Sequence, residues 1–250
     1  MALNILEFSR PRVKWFFSIS IVSVVGALVG PLASKFGVIS YQVGLLVVVI
    51  SFCFCSIVLI CDFFLFLRQV AKKRPKGNFH DLLPGSISLF VVVVMVIQLI
   101  PAMSSPPIHN ISTNTQPPPS FDRLVEIRTK LESNPLDYRS NSLNEELQKK
   151  AYPYIHPFAS SLSAEDLMER AAAILINMGI DIVNFDKSSL RIEATATSFW
   201  FGFKDDILVQ IRRYQSGSIA EIRSVSRVGV SDLGKNAERI ELILEELRER

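Results

Sequence analysis

The chain has 250 residues, of which 49% are hydrophobic, and its mean hydropathy is +0.30. This apolar content excludes an ordinary soluble protein and directs attention to membrane spans. The net charge of +3 is unevenly divided, because residues 1–103 carry nine Lys and Arg against three Asp and Glu, whereas residues 104–250 carry 18 against 21. An acidic C-terminal part argues against nucleic-acid binding, which needs a basic face.

Three apolar runs near the N-terminus predict three transmembrane helices. They extend from Trp15 to about Ala33, from Val43 to Leu67 and from Leu82 to Met103. Each run is close to the ~20 helical residues that cross a bilayer core. The first run is longer than the core of a signal peptide and no small-residue cleavage pattern follows it, so we expect it to be retained. Residues 1–103 are therefore interpreted as a three-helix membrane region.

The distribution of basic residues predicts the orientation of these helices. Three precede the first helix and five lie between the second and the third, whereas the loop between the first two helices holds only Lys35. These residues are Arg10, Arg12 and Lys14, and then Arg68, Lys72, Lys73, Arg74 and Lys76. Because basic loops stay in the cytoplasm, we expect a multi-pass protein of the plasma (inner) membrane with a cytoplasmic N-terminus. Residues 104–250 are then extracytoplasmic, in the periplasm of a Gram-negative cell.

Asp62 is the only charged residue in the second apolar run. It lies six residues before Arg68, where its side chain can reach the membrane interface. An ionisable residue within a span also marks transport paths, so a small transporter component is one alternative function. All three cysteines lie in this same run and are interpreted as small apolar side chains of a membrane helix.

Residues 104–120 are rich in Pro, Ser, Thr and Asn, which predicts an extended extracytoplasmic linker. His109 and His156 have no Cys or second His at ligand spacing nearby, so no metal site and no cofactor are predicted.

From Phe121 the pattern is that of a globular domain over residues 121–250. Residues 121–131 and 141–150 predict two short helices, and residues 163–179 predict a longer one with Ser163 as its N-cap. The apolar period then changes from 3.6 to 2, which indicates strands. Four short strands are expected, in IDIVNF, RIEATATS, DILVQIRR and IAEIRSVSR, followed by a helix from about Ser231 or Asp232. The predicted fold class is α+β: a two-layer domain of about four antiparallel strands packed on two or three helices.

The segment GVSDLGKN at residues 229–236 is one residue away from a phosphate-binding loop. In such a loop a Ser or Thr hydroxyl binds Mg²⁺, and here Asn236 takes that position. Asp232 would place a carboxylate among the phosphates. We therefore expect no nucleotide, and interpret Ser231 or Asp232 as the cap of the last helix.

Three groups of residues are candidates for a site. Phe199, Trp200 and Phe201 form an aromatic run that either packs under the 121–131 helix or faces a ligand or the bilayer. Arg223 and Arg227 either hold an anion or belong to a solvated strand face with cross-strand pairs. Asp205 and Asp206 are adjacent and point to opposite faces of a strand, so they form a poor acid–base pair. One of them is expected to make a turn or to pair with Arg212 or Arg227.

Two segments resemble a known family. ATATSFWFGFKDDILVQI at residues 194–211 and RSVSRVGVSDLGKNAERI at residues 223–240 are similar to the C-terminal signature of domain-of-unknown-function family 1499. PPIHNIST at residues 106–113 resembles the segment that opens that domain. The resemblance implies a membrane-anchored bacterial form with the domain over roughly residues 104–250. It implies no activity, ligand or catalytic residue.

The sequence thus favours a membrane-anchored binding or interaction module of the cell envelope, with no catalytic residue assigned. Its expected partners are the lipid bilayer and either an envelope protein or an apolar ligand. A second alternative is an enzyme acting on envelope lipid or glycan, with Asp205 or Asp206 beside Arg223 or Arg227.

Overall fold

The computed structural model describes residues 11–72, 79–131, 133–138 and 142–249. The chain divides into two compact units. The first consists of Met1–Ile100 with Trp200–Gly202, and the second consists of Pro101–Phe199 with Phe203–Arg250. The second unit is called the sheet domain below. Of the basic residues that predict orientation, Arg10, Lys73, Arg74 and Lys76 lie outside the described residues.

The first unit is built from three long apolar helices. They are α1 (Pro11–Lys35), α2 (Tyr41–Ala71) and α3 (Leu83–Ser104), and a 3₁₀ turn over Phe79–Leu82 precedes α3. All three are long and apolar enough to cross a membrane, as predicted. Helices satisfy their backbone hydrogen bonds internally, which is the condition for crossing hydrocarbon.

Small and hydroxyl-bearing residues allow these helices to approach closely. A β-carbon on Gly30 of α1 would lie 3.1 Å from the carbonyl oxygen of Gly44 in α2, so the two backbones almost touch. Between α1 and α3, the hydroxyl oxygens of Ser20 and Ser88 are 2.9 Å apart. Asp62 of α2 lies beside Gly85 of α3, whose β-carbon would be 3.0 Å from the carboxylate. Its carboxylate therefore points toward α3.

The described residues of the sheet domain form an antiparallel sheet of six strands. The strands are β1 (Asn110–Ser112), β2 (Phe158–Ser160), β3 (Asp181–Asp186), β4 (Arg191–Thr197), β5 (Lys204–Tyr214) and β6 (Gly217–Ser226). Their order is β1-β6-β5-β4-β3, and β2 also pairs with β6. The four predicted strands are β3 to β6. The other two are only three residues long and were not predicted. One of them, β1, lies within residues 104–120, where the sequence predicted an extended linker.

Two amphipathic helices cover one face of the sheet. They are α6 (Ala164–Asn177) and α7 (Lys235–Glu249). The Ser163 hydroxyl accepts a hydrogen bond of 3.1 Å from the Asp166 amide, which confirms the predicted cap of α6. Apolar side chains of both helices are buried against inward-facing residues of the strands. The main ones are Leu167, Ala171 and Leu175 of α6, Ile240, Ile243 and Leu244 of α7, and Ile192, Val209 and Ile222 of the sheet.

The second face of the sheet is also covered. Phe121 and Leu124, at the start of the short helix α4 (Arg123–Arg128), pack on Leu208 and Val225 of the strands. The helix α5 (Ser142–Ala151) follows, and its Gln148 bonds both the amide and the carbonyl of Ser112 in β1. The segment after β1 crosses this face. The polar strand residues that alternate with the apolar core residues are therefore buried as well. The predicted α+β fold class is therefore confirmed, and part of the second face of the sheet is covered in addition.

We expect Gly217→Ala to destabilise the sheet domain. A β-carbon at this position would overlap the carbonyl oxygen of Ser160, and that oxygen belongs to the β2 backbone that pairs with β6. Overpacking of this kind costs about 1–3 kcal/mol. Thermal unfolding of the detergent-solubilised chain measures the loss.

Ser216→Ala is the matched control, because Ser216 is the exposed neighbour in the same turn. Equal unfolding temperatures for the two variants would show that β2 does not approach β6 this closely.

Candidate functional site

The aromatic run forms a tight hairpin between β4 and β5. β4 ends at Thr197, and the Ser198 amide donates to the Phe203 carbonyl at 2.8 Å. The Phe203 amide donates to the Ser198 hydroxyl at 2.9 Å, and Gly202 has φ of +68°, a conformation that favours glycine. The strand therefore does not continue through the aromatic residues.

Aromatic side chains of this hairpin are exposed. Phe199 is 70% exposed and Trp200 is 45% exposed, while Phe201 is half-buried. The sequence left two interpretations open for these residues: packing under the 121–131 helix, or facing a ligand or the bilayer. The exposure of Phe199 and Trp200 contradicts the first. These two rings are therefore partly exposed to solvent on a hydrogen-bonded turn.

Two further segments leave the sheet at the same end as this hairpin. The Arg227 amide donates to the Lys204 carbonyl at 2.9 Å, so the loop after β6 starts beside the base of the hairpin. The Ser226 amide donates to the His109 carbonyl at 2.9 Å, so the chain enters β1 here as well. Val230 and Leu233 of the loop are 75% and 42% exposed. We call Phe199, Val230 and Leu233 the apolar tip of the sheet domain.

The loop GVSDLGKN caps a helix. The Asp232 carboxylate accepts hydrogen bonds from the Gly234 amide at 2.9 Å and from the Asn236 amide at 2.6 Å, which confirms the predicted capping. Burial raises the pKa of Asp232, although these backbone hydrogen bonds act in the opposite direction. Because the carboxylate already occupies amides at the start of α7, the loop is not arranged for a phosphate.

Asn236 has a structural role that the sequence did not reveal. Its side chain is fully buried and accepts from the Ser224 hydroxyl at 2.6 Å. It donates to the His109 carbonyl at 3.0 Å and to the Ser226 hydroxyl at 2.9 Å. Asn236 thus joins α7 to β6 and to the entry of β1.

Asp206 is the centre of a buried ionic cluster with Arg128, Arg227 and Thr195. Its carboxylate accepts three hydrogen bonds: from Arg128 Nε at 2.7 Å, from a terminal nitrogen of Arg227 at 2.8 Å and from the Thr195 hydroxyl at 2.7 Å. Burial acts to raise the pKa of Asp206, but the hydrogen bonds and charges of the two arginines outweigh it and hold the pKa below its ordinary value. The predicted pairing of Asp206 with Arg227 is confirmed.

Arg223 is also held inside the domain. Its guanidinium donates to the Asn110 side chain at 3.0 Å, to the Pro119 carbonyl at 2.9 Å and to the Leu136 carbonyl. It lies between the rings of Phe121 and Tyr138, 5.3 Å and 5.5 Å from their centres. Burial lowers the pKa of Arg223 to about 10. Both arginines of the predicted anion site therefore already have partners in the protein.

Asp205 faces the other layer of the domain, as its adjacency to Asp206 predicted. Its carboxylate receives a terminal nitrogen of Arg239 in α7 at 2.8 Å. Nearby, a cavity of about 230 Å³ lies between α7 and the end of β4, lined in part by Ala196, Thr197 and Arg239. This volume is below the roughly 300–1,000 Å³ of typical small-molecule sites. Among the residues that the structure describes, no three His, Cys, Asp or Glu side chains are grouped to hold a metal ion.

Residues 110–247 match the sequence profile of the family described as "Protein of unknown function (DUF1499)". The chain belongs to this family. The match starts at the first residue of β1 and ends within α7, so it covers the whole sheet of this DUF1499 protein. Curated proteins give no match to the chain.

We expect Asp206→Asn to destabilise the DUF1499 domain by about 3–5 kcal/mol, because it leaves Arg128 and Arg227 buried without a counter-charge. Asp205→Asn is the matched control. Asp205 has a single arginine partner and is partly exposed, so a smaller loss of about 1–2 kcal/mol is expected. Chemical unfolding of the solubilised chain measures both, and equal losses would contradict the central role of Asp206.

Asp206→Asn is also expected to change how the stability of the domain depends on pH. The folded pKa of Asp206 is lowered, so its stabilisation is fully present above the unfolded pKa of about 3.9 and is lost as the pH falls through the folded value. The wild-type chain should therefore lose more stability between pH 5 and pH 3, both rough bounds, than Asp206→Asn does.

Proposed function

We propose that this DUF1499 protein is a membrane-anchored binding module of the cell envelope. Its three apolar helices hold it in the plasma membrane, and its sheet domain contacts a partner through the hairpin end of the sheet. The observation that carries this proposal is the exposure of Phe199, which is 70% exposed on a hydrogen-bonded turn. Large exposed aromatic side chains are costly in water and are typical of contact surfaces.

The surroundings of these residues support a binding role. Val230 and Leu233 add apolar surface from the neighbouring loop, so the exposed area does not depend on one side chain. The strands β4 and β5 form a continuous ladder from Arg191–Gln210 to Thr197–Lys204, which fixes the hairpin at its base. A rigid apolar surface loses little conformational freedom when it binds.

The carboxylates of the enzyme alternative are less suited to catalysis. Asp205 and Asp206 are held by Arg239 and by Arg128 and Arg227 in ion pairs, and they point to opposite faces of the sheet. A general base has to reach the proton of a substrate. These contacts favour a structural role for both residues and leave the hairpin end as the better-supported site.

We further propose that the sheet domain lies outside the cytoplasm, in the periplasm of a Gram-negative cell, and that the N-terminus is cytoplasmic. The basic residues around Arg12 and between α2 and α3 support this orientation. If all three helices cross the membrane, the N-terminus and the sheet domain lie on opposite sides of it.

Fusions to alkaline phosphatase, which is active only after export, test the orientation. We expect high activity when the enzyme follows residue 250 and low activity when it follows residue 76, in the basic loop. The reverse pattern would show that the sheet domain faces the cytoplasm.

Photo-cross-linking tests the contact surface. We expect benzoylphenylalanine in place of Phe199 to join the chain to a second molecule when cells are irradiated. Tyr214 is the matched control position, because it is 51% exposed and lies at the opposite end of β5. The proposal fails if position 199 gives no more product than position 214.

A further inference from the structure

We infer that the partner of the apolar tip is the bilayer that anchors the chain: Phe199, Val230 and Leu233 insert into the membrane interface. This inference rests on the proposed function and names its partner. It assigns a lipid surface as the partner of the hairpin end of the sheet. A protein partner at this end is the alternative outcome of the test.

The chemistry of the hairpin end fits the interfacial region of a membrane. Phe199, Val230 and Leu233 are exposed and apolar, and Trp200 follows Phe199 directly. Tryptophan and phenylalanine are enriched where apolar chains meet headgroups. Lys204 is exposed at the base of the hairpin, where its ammonium group can reach lipid phosphates while its stem stays against apolar surface.

The covalent path from the membrane leads to this same end of the sheet. α3 ends at Ser104, and the next residues contact the loop that carries the tip. The Ser231 hydroxyl donates to the Pro106 carbonyl at 3.2 Å, and a β-carbon on Gly234 would lie 2.8 Å from the Ser105 hydroxyl oxygen. Ile108, which follows, is buried in the core of the domain.

This path is short. Asn110, the first residue of β1, lies six positions after Ser104, with five residues between them. A fully extended chain covers about 3.3–3.6 Å per residue, so the entry of β1 cannot move more than about 22 Å from the end of α3. Since β1 enters at the hairpin end, this is the end of the sheet that the short segment joins to α3. The opposite end, with Tyr214, is at the far end of a strand of 11 residues.

Fluorescence of Trp200 tests the inference in the full chain. The protein has two tryptophans, so Trp15→Phe leaves Trp200 as the only one. We would reconstitute this variant in phosphatidylcholine and phosphatidylglycerol vesicles, with and without bromine on the acyl chains near the headgroup. We expect brominated lipid to reduce the emission at least about twofold, and iodide on both sides of the membrane to quench it weakly.

Two variants control the measurement. Trp200→Phe keeps only Trp15, which lies in α1, and its emission has to fall in brominated lipid for the reconstitution to be valid. Phe199→Asp in the Trp15→Phe background should weaken quenching by brominated lipid and strengthen quenching by iodide. Tyr214→Asp, an exposed change at the other end of β5, should do neither.

Strong quenching by iodide without quenching by brominated lipid would overturn the inference. If position 199 then still cross-links to a protein, the proposed binding function stands and only its lipid partner is wrong. If position 199 also gives no product, both the function and the inference fail.

Discussion

The ion pairs of Asp206 hold together the end of the sheet domain on which the site depends. Arg128 comes from α4, Thr195 from β4 and Arg227 from the segment after β6, so the carboxylate of Asp206 connects β5 to three other parts of the chain. A buried charge without partners is strongly unfavourable, so α4 has to lie over the second face of the sheet whenever the strands pair. Because Asp206 follows Lys204 by two residues, this constraint acts at the base of the hairpin that carries Phe199.

The first face of the sheet is fixed at the same end by a second set of contacts. Asp205 binds Arg239, Asp232 caps α7, and Asn236 joins α7 to β6 and to His109 at the entry of β1. Two adjacent aspartates therefore hold the layers on both sides of the sheet. The result is a firm base for the apolar tip, so its exposed side chains are presented by backbone that is hydrogen-bonded on either side.

The sequence predicted the elements that have a period or a cap. The three spans, β3 to β6, α6 with Ser163 and α7 with Asp232 all followed from apolar spacing or capping chemistry. β1 and β2 are too short to show a period and exist through their pairing with β6. One interpretation put Arg223 on a solvated strand face, and alternation puts Glu193 on the polar side of its own strand. Alternation does not tell which segment covers that polar side. The structure buries both: Glu193 accepts hydrogen bonds from the amides of Asp122 and Leu124, and Arg223 lies between the rings of Phe121 and Tyr138.

The end of β4 was harder to predict. FWFGF continues the β-forming composition, and only Gly202 signals the turn.

The strand at residues 110–112 shortens the segment between α3 and the sheet. A flexible linker over residues 104–120 would let the domain sample a large volume, as a solvated chain does. With β1 inside that segment, the free path shrinks to the few residues before Asn110, and contacts of Ser105 and Pro106 with the 231–234 loop restrict it further. A surface on so short a tether meets the bilayer at a high effective concentration. If the tip inserts as we infer, the three apolar helices have already met most of the entropic cost of bringing it to the membrane. Each apolar side chain on the tip then adds to the contact, so that even weak insertion is populated.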